Sequence, residues 1–286
     1  MTEFGVRSVE PPGLLESVVL RLAIRVPIER AELVLAELML IAPSGVEQVD
    51  GEGYVEYAVY GAPGELPTLP DLEAVIGGIT VEVATTEVED GWEDRWREFH
   101  KPLVVPGKLR VRPPWEPKAD EPYDLVIDPA RAFGTGAHPT TNLCLEMLFD
   151  LEPAGSLFDL GCGSGVIAIL AARLGFGPVI AADYDDLAVE ATVANAAVNG
   201  VNLDVSRIDL RTDSLPESET LVANILAPVL ITLAGKMGSW RPQTVVLSGI
   251  LDEQADGVTA AWVPLGYSEV DRTSRGGWSA IRLVKR

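Results

Sequence analysis

The sequence predicts an α/β protein: a Rossmann-like, doubly wound sheet of seven strands in the C-terminal half, preceded by a smaller N-terminal α+β domain of ferredoxin-like order. Three observations carry this reading. From Ser156 onward, short apolar runs alternate with helical stretches, the pattern of parallel strands covered by helices on both faces. The first 88 residues instead run strand, helix, strand, strand, helix, strand, which is the split βαβ arrangement. The chain of 286 residues also exceeds the roughly 100 to 200 residues of a usual domain, so two domains are expected.

Taken in order, Val18 to Val26 places Leu20, Leu22, Ile24 and Val26 on one side and Arg21 and Arg25 on the other, the period of a half-buried strand. Glu29 to Ala42 reads as an amphipathic helix stopped by Pro43 and Gly45. Strands follow near Val46 to Val49 and Tyr54 to Tyr60, then a short helix with Asp71 as N-cap, ended by Gly77 and Gly78, and the alternating strand "ITVEVATTEV" closing near Val88. Residues 89–127 read as linker and connecting segment. Within them, "DGWEDRWREFHKPLVV" reads as a helix carrying Trp92, Trp96 and Phe99, followed by a strand start after Pro102, and the proline-rich Pro113 to Asp124 reads as a loop. Beyond residue 128 the expected strands are "SLFDL", "PVIAAD", "LDVSRID", "ETLVAN", "QTVVLSG" and a closing pair around Tyr267 to Asp271 and Ala280 to Val284. The intervening helices are expected at Ser164 to Leu174, Asp185 to Asn199, Ala227 to Met237 and Asp252 to Trp262.

Composition narrows the function. The residues are 47% hydrophobic and 23% charged, near the globular average and without the marks of disorder. A net charge of −21, with 43 acidic against 22 basic residues, argues against direct nucleic-acid binding and favours a basic protein as partner. The two cysteines, Cys144 and Cys162, lie in apolar stretches and imply no disulfide framework. With only His100 and His138 to add imidazoles, no zinc site is expected. "MTEFGVRSVEPPG" lacks the basic start and apolar core of a signal peptide, and no apolar run is long enough for a bilayer, so the expectation is a cytoplasmic protein that does not enter membranes.

The chemistry is concentrated in two blocks. "LFDLGCGSG" (Leu157 to Gly165) is an apolar strand entering a glycine turn and then a helix, which brings backbone amides close to a ligand at the carboxyl end of a sheet. The next strand ends at Asp183, about 20 residues on, where a carboxylate accepts hydrogen bonds from both ribose hydroxyls of a nucleotide. A dinucleotide and an adenosyl cofactor compete for such a site. The glycine spacing G-x-G-x-G puts the third glycine one residue early for a dinucleotide. Asp159, two residues before Gly161, would repel a pyrophosphate but suits the amine of a methionine moiety, so S-adenosylmethionine is favoured. The second block, "DPARAFGTGAHPTT", precedes a helix expected to run from Pro139 to about Phe149. Its amides and the positive end of the helix dipole suit the methionine carboxylate, with the Thr141 hydroxyl as a further donor, while Gly134 and Gly136 let the chain fold over the ligand around Thr135. Phe133 would close the pocket where the methyl group is transferred. His138 reads as a local hydrogen-bonding residue rather than a general base.

These blocks, together with "EDRWREFHKP", "AADYDDLAVEATVANAAVNGV", "VANILAP" and "LSGILDEQ", resemble the bacterial ribosomal protein L-eleven methyltransferase family, in that family's order, over nearly all of the chain from Asp90 onward. The resemblance implies a class I S-adenosylmethionine-dependent enzyme, with a small N-terminal domain (residues 1–88) that grips the ribosomal protein of the large subunit and a cofactor-binding domain (128–286). It implies methyl transfer to lysine side-chain and N-terminal amines, and cofactor contacts at Thr141, Gly161, Asp183 and Asn224. Gly163, Asp159, Gly134 and Thr135 join them as cofactor-binding candidates, and Asn224 and Phe133 as catalytic ones. Enzymes acting on the exocyclic amines of bases or on glutamine commonly carry Asn-Pro-Pro-aromatic after this strand. Here the residues are Asn224-Ile225-Leu226-Ala227, which weakens those two readings. Another protein lysine as substrate, an NAD-dependent oxidoreductase and a non-catalytic interaction module are the alternatives.

Overall fold

The structure, a computed structural model, describes residues 19–41, 46–61, 73–76, 79–88, 102–128 and 138–286. They form two compact units, one holding the residues up to Val88 and the other those from Pro102 onward.

The first unit is a five-stranded antiparallel sheet, in the order β2-β3-β1-β5-β4, with one α-helix. Its elements are β1 (Val19–Pro27), α1 (Ala31–Ile41), β2 (Glu47–Asp50), β3 (Tyr54–Gly61), β4 (Glu73–Ile76) and β5 (Ile79–Val88). The alternation read from β1 is observed: Leu22, Ile24 and Val26 are buried together with Tyr57, Val83 and the α1 residues Val34 and Leu38. Arg21 and Arg25 lie on the other side and share Glu56 of β3, at 2.7 and 2.6 Å. One expectation fails. The stretch expected as a short helix is the strand β4, paired antiparallel with β5 from Glu73↔Glu82 to Ile76↔Ile79. Only two residues separate the strands, and a four-residue segment gains more from pairing with an existing edge than from a single helical turn that must be nucleated. The residues proposed as its cap and stop, Asp71, Gly77 and Gly78, lie outside the described residues, as do Trp92, Trp96, Phe99 and His100.

The second unit is built on a seven-stranded sheet in the order β11-β10-β9-β12-β13-β15-β14. Strands β9 (Leu157–Leu160), β10 (Val179–Asp183), β11 (Asp204–Arg207), β12 (Thr220–Asn224) and β13 (Thr244–Leu251) are mutually parallel. The expectation of a parallel sheet needs one correction: β15 (Trp278–Lys285) runs antiparallel to β13 and to β14 (Tyr267–Arg275). The reason is local. Gly276 and Gly277, with φ of 58° and 82°, close a tight hairpin that cannot accommodate a crossover helix. Helices α2 (Pro139–Phe149), α3 (Val166–Leu174), α4 (Asp186–Val198), α5 (Ala227–Lys236) and α6 (Ala255–Trp262) complete the unit.

Residues 102–127, expected as connecting segment, carry β6 (Leu103–Val105), β7 (Leu109–Arg112) and β8 (Tyr123–Val126) in a small sheet of their own. Leu109, Val111, Leu125 and Ile127 are buried with α2 and α3 residues on one side of the large sheet, while α5 and α6 pack on the other. The central strand therefore buries both faces, Leu157 with the first core and Phe158 and Leu160 with the second. Among the described residues no helix is long and apolar enough to cross a membrane.

The parallel strands end against one another closely. Gly249, at a register shift in β13, has φ of 80°, and a Cβ there would lie 2.5 Å from the Ile225 carbonyl oxygen. Gly249→Ala therefore meets backbone as well as the intrinsic cost of a positive φ. Gly266→Ala, with φ of 91° and open space around the position, meets only the latter. Denaturant melts of the two variants should show a loss of about 1 kcal/mol for Gly266→Ala and at least about twice that for Gly249→Ala. Equal losses would show that the approach to Ile225 has no energetic weight.

Candidate functional site

Strand β9 connects onward to β10 on one side, while β12 lies on its other side, so the chain order reverses between β9 and β12. A crevice at the carboxyl ends of such strands is where open α/β sheets bind ligands. The glycine turn leaves β9 there. Gly161, Gly163 and Gly165 have φ of 77°, 53° and 81°, values that glycine alone adopts without strain. Gly161 N–H and Cys162 N–H donate to the Ala182 carbonyl at 2.7 and 3.1 Å, fastening the turn to β10. A Cβ on Gly161 would lie 2.3 Å from Ile225 Cγ2, so the turn also abuts the residue after Asn224.

Asp183 ends β10 on this crevice. Its Oδ2 accepts from Gly163 N–H at 2.9 Å and its Oδ1 from Asp185 N–H at 3.1 Å. Burial raises its pKa, against the lowering effect of the backbone N–H groups that it accepts from. A carboxylate offers about four acceptor positions, so capacity remains for a pair of hydroxyls. On the other side of β9, Asn224 Nδ2 donates to Thr141 Oγ1 at 3.3 Å, joining the end of β12 to the first turn of α2 across 83 residues. Thr141 is fully buried and Asn224 half-buried.

The first turn of α2 is held from both directions. His138 is its N-cap, accepting from Thr140 N–H through Nδ1 at 3.4 Å. Burial lowers its pKa to about 4, which keeps the imidazole neutral near pH 7. The His138 ring meets Trp278 of β15 edge-on at 4.8 Å, and Arg275 at the hairpin pairs with Glu146 of α2 at 3.0 Å.

The structure thus brings five of the candidates together: Gly161, Gly163, Asp183, Asn224 and Thr141. Phe133, Gly134 and Thr135 lie outside the described residues, as does Gly136.

A family model described as ribosomal protein L11 methyltransferase (PrmA) matches residues 67–286. The chain belongs to this family. It is similar to the ribosomal protein L11 methyltransferase of Pseudomonas aeruginosa, 41% identical over 78% of this chain and 77% of that one. The corresponding protein of Geobacter metallireducens is 39% identical over 69% of this chain and 67% of that one. Among solved structures, the ribosomal protein L11 methylase of Lactobacillus delbrueckii subsp. bulgaricus matches with a TM-score of 0.57 and 27% identity, over 63% of this chain and 95% of that one.

Within the family fold, Asp159 occupies a different position from the other candidates. It is fully buried in β9, where Oδ2 accepts from Ala168 N–H of α3 at 3.1 Å and Oδ1 has no partner among the described residues. Burial first, and the charge of Asp183 in addition, raise its pKa to about 7. Two features escaped the sequence reading. Tyr184, directly after Asp183, is 55% exposed, and Arg207 and Arg211 lie over its ring at 4.8 and 5.3 Å from the centroid. Thr192 and Asn195 of α4 hold the glycine turn from behind. The first could have been noticed as an aromatic beside a ribose-type carboxylate. The second has no signal in spacing, because polar residues in a helix usually face water.

The raised value of Asp159 makes stability pH-dependent. The folded carboxyl keeps its proton up to about pH 7, whereas the unfolded one loses it near the ordinary aspartate value of 3.8, so stability falls as pH rises through that window. Asp159→Asn keeps an oxygen for Ala168 N–H and removes the ionisation. Relative to the wild type it should gain about 1.4 kcal/mol per pH unit between pH 4 and 7, read from denaturant melts at several pH values. Parallel stability profiles for the two proteins would contradict the raised value.

Proposed function

We propose that the chain is an S-adenosylmethionine-dependent protein methyltransferase that adds methyl groups to lysine side-chain and N-terminal amines of a large-subunit ribosomal protein, the L11 named in its relatives. The observation that carries the reading is the pair of contacts at the strand ends on either side of β9: Gly163 with Asp183, and Thr141 with Asn224. The residues fit this cofactor. The glycine turn follows β9 at the carboxyl end of the sheet with positive φ at Gly161, Gly163 and Gly165, and Asp183 has acceptor capacity for a ribose diol. The α2 N-terminus brings a dipole suited to a carboxylate. The one-residue-early third glycine disfavours a dinucleotide.

When bound, the cofactor supplies an activated methyl group on a sulfonium. The chain's task is to present a neutral amine in line with it. A lysine amine has a reference pKa near 10.4, so a desolvated pocket that favours the uncharged form is required. With Asn224 Nδ2 donating to Thr141, its Oδ1 is the atom left to accept a hydrogen bond from the amine and aim the nitrogen lone pair. Thr141 holds the Asn224 amide at the first turn of α2. In this reading Phe133 lines the methyl-transfer pocket, Gly134 and Thr135 contact the cofactor, and the first unit holds the substrate. The charge of −21 steers a basic protein toward the enzyme.

The test is methyl transfer from labelled S-adenosylmethionine to purified L11, with the modified amines located by mass spectrometry. The wild type should label lysine and N-terminal amines. Asn224→Ala, assayed in single turnover at saturating cofactor, should be slowed at least about tenfold, because the interaction lost is one needed in the transition state. Absence of transfer by the wild type would overturn the proposed reaction. A wild-type rate for the variant would remove Asn224 from the alignment of the amine.

A further inference from the structure

Helix α4 and its C-cap residue Asn199 hold three polar side chains that face inward. Thr192 is fully buried, Asn195 is 3% exposed and Asn199 is half-buried. Side chains that could hydrogen-bond water but are turned into the protein must find partners, and theirs are backbone groups of two other segments. Thr192 Oγ1 donates to the Gly163 carbonyl at 2.9 Å, and a Cβ on Gly165 would lie 2.8 Å from Thr192 Cγ2. Asn195 Nδ2 donates to the Ser164 carbonyl at 2.9 Å, while its Oδ1 accepts from Asp128 N–H at 3.1 Å. Asn199 makes the same kind of bond one turn later without reaching the glycine turn: Oδ1 accepts from Val126 N–H at 2.9 Å, and Nδ2 donates to the Val126 carbonyl at 2.7 Å and, back along the helix, to the Asn195 carbonyl at 2.8 Å.

Asn195 therefore uses both ends of one amide to join the glycine turn to the backbone that leaves β8. Fixing the Gly163 and Ser164 carbonyls fixes the two peptide planes of the turn, since each plane is rigid. The Gly163 N–H that Asp183 accepts lies in the preceding plane, and that plane is tied to them because its Cys162 carbonyl accepts from Gly165 N–H, part of the Ser164–Gly165 plane, at 2.8 Å. A glycine turn is otherwise the most freely rotating backbone available, so its preorganisation has to come from outside it.

We propose that Asn195 is a positioning residue for the cofactor site, holding the peptide planes of the Gly161–Gly165 turn in the conformation that binds the adenosyl cofactor and registering that turn against the backbone at Asp128. The inference rests on the cofactor reading above. It assigns Asn195 no contact with the cofactor or the reacting atoms.

The experiment compares Asn195→Ala with Asn199→Ala in the full chain. Affinity for S-adenosylhomocysteine is read by calorimetry and stability by denaturant melts. Asn195→Ala loses two side-chain hydrogen bonds, one to the turn and one to the segment after β8, and Asn199→Ala loses three, two to Val126 and one to the Asn195 carbonyl, so both should be destabilised. Only Asn195→Ala frees the turn. Its dissociation constant should rise about tenfold, the equivalent of one good hydrogen bond in preorganisation, while Asn199→Ala stays within about twofold of the wild type. Asn195→Asp serves if the alanine variant does not fold. It keeps the acceptor for Asp128 N–H and sets an oxygen against the Ser164 carbonyl, so it should weaken binding at least as much. Wild-type affinity in either Asn195 variant, or equal weakening by Asn199→Ala, would overturn the inference. If the wild-type protein itself fails to bind S-adenosylhomocysteine, the cofactor reading falls first and this one with it.

Discussion

The bond from Gly163 N–H to the Asp183 carboxylate is the constraint on which the site depends, because it requires two adjacent strand ends and a glycine turn to be right together. The turn can reach Asp183 only if Gly161 and Cys162 fold back onto Ala182, and that fold demands positive φ at three alternate positions. The strand behind it must be small at its neighbour's end: Gly161 leaves no room for a Cβ against Ile225, and Gly249 leaves none against the Ile225 backbone. Asn224 is thereby carried to the crevice, where Thr141 meets it from α2. The sheet is the instrument that converts distant sequence positions into one constellation, and the close approaches permitted by glycine set its tolerance.

Two carboxylates near one turn create the electrostatic tension of the site. Asp159 and Asp183 sit on neighbouring strands, both with their charged forms disfavoured by burial. They resolve it differently. Asp183 is solvated by backbone N–H groups, which stabilise an anion. Asp159 has one such donor and an Oδ1 without a partner among the described residues, and its pKa stands at about 7. A second full negative charge under the turn would oppose the first, so the charge of Asp183 adds to burial in keeping the proton on Asp159.

Much of this was legible in the sequence, and the failures have physical reasons. The glycine turn and Asp183 stand out because strand, turn and strand-end carboxylate follow one another within about 26 residues and each has its own chemical signature. The boundaries of α2 could be read because Pro139 occupies the first helical turn. Asn224 came from family resemblance, since an asparagine at a strand end carries no signal alone. The segment Glu73–Ile76 was misread because four residues between turn formers fit a helical turn or an edge strand equally, and the decision belongs to β5. The antiparallel β15 was hidden for the same reason: apolar runs do not report direction. Asn195 and Gly249 act through backbone of other segments, which no local pattern contains.

The central claim is that Thr141, Gly161, Asp183 and Asn224 are one adenosyl-cofactor site at the point where the strand order reverses. A crystal structure with S-adenosylhomocysteine tests it most directly. The account predicts the ribose hydroxyls within about 2.5 to 3.0 Å of the Asp183 carboxylate, the turn backbone against the ligand, and the sulfur on the side of Asn224. A ligand bound elsewhere, or one whose ribose does not reach Asp183, would contradict it.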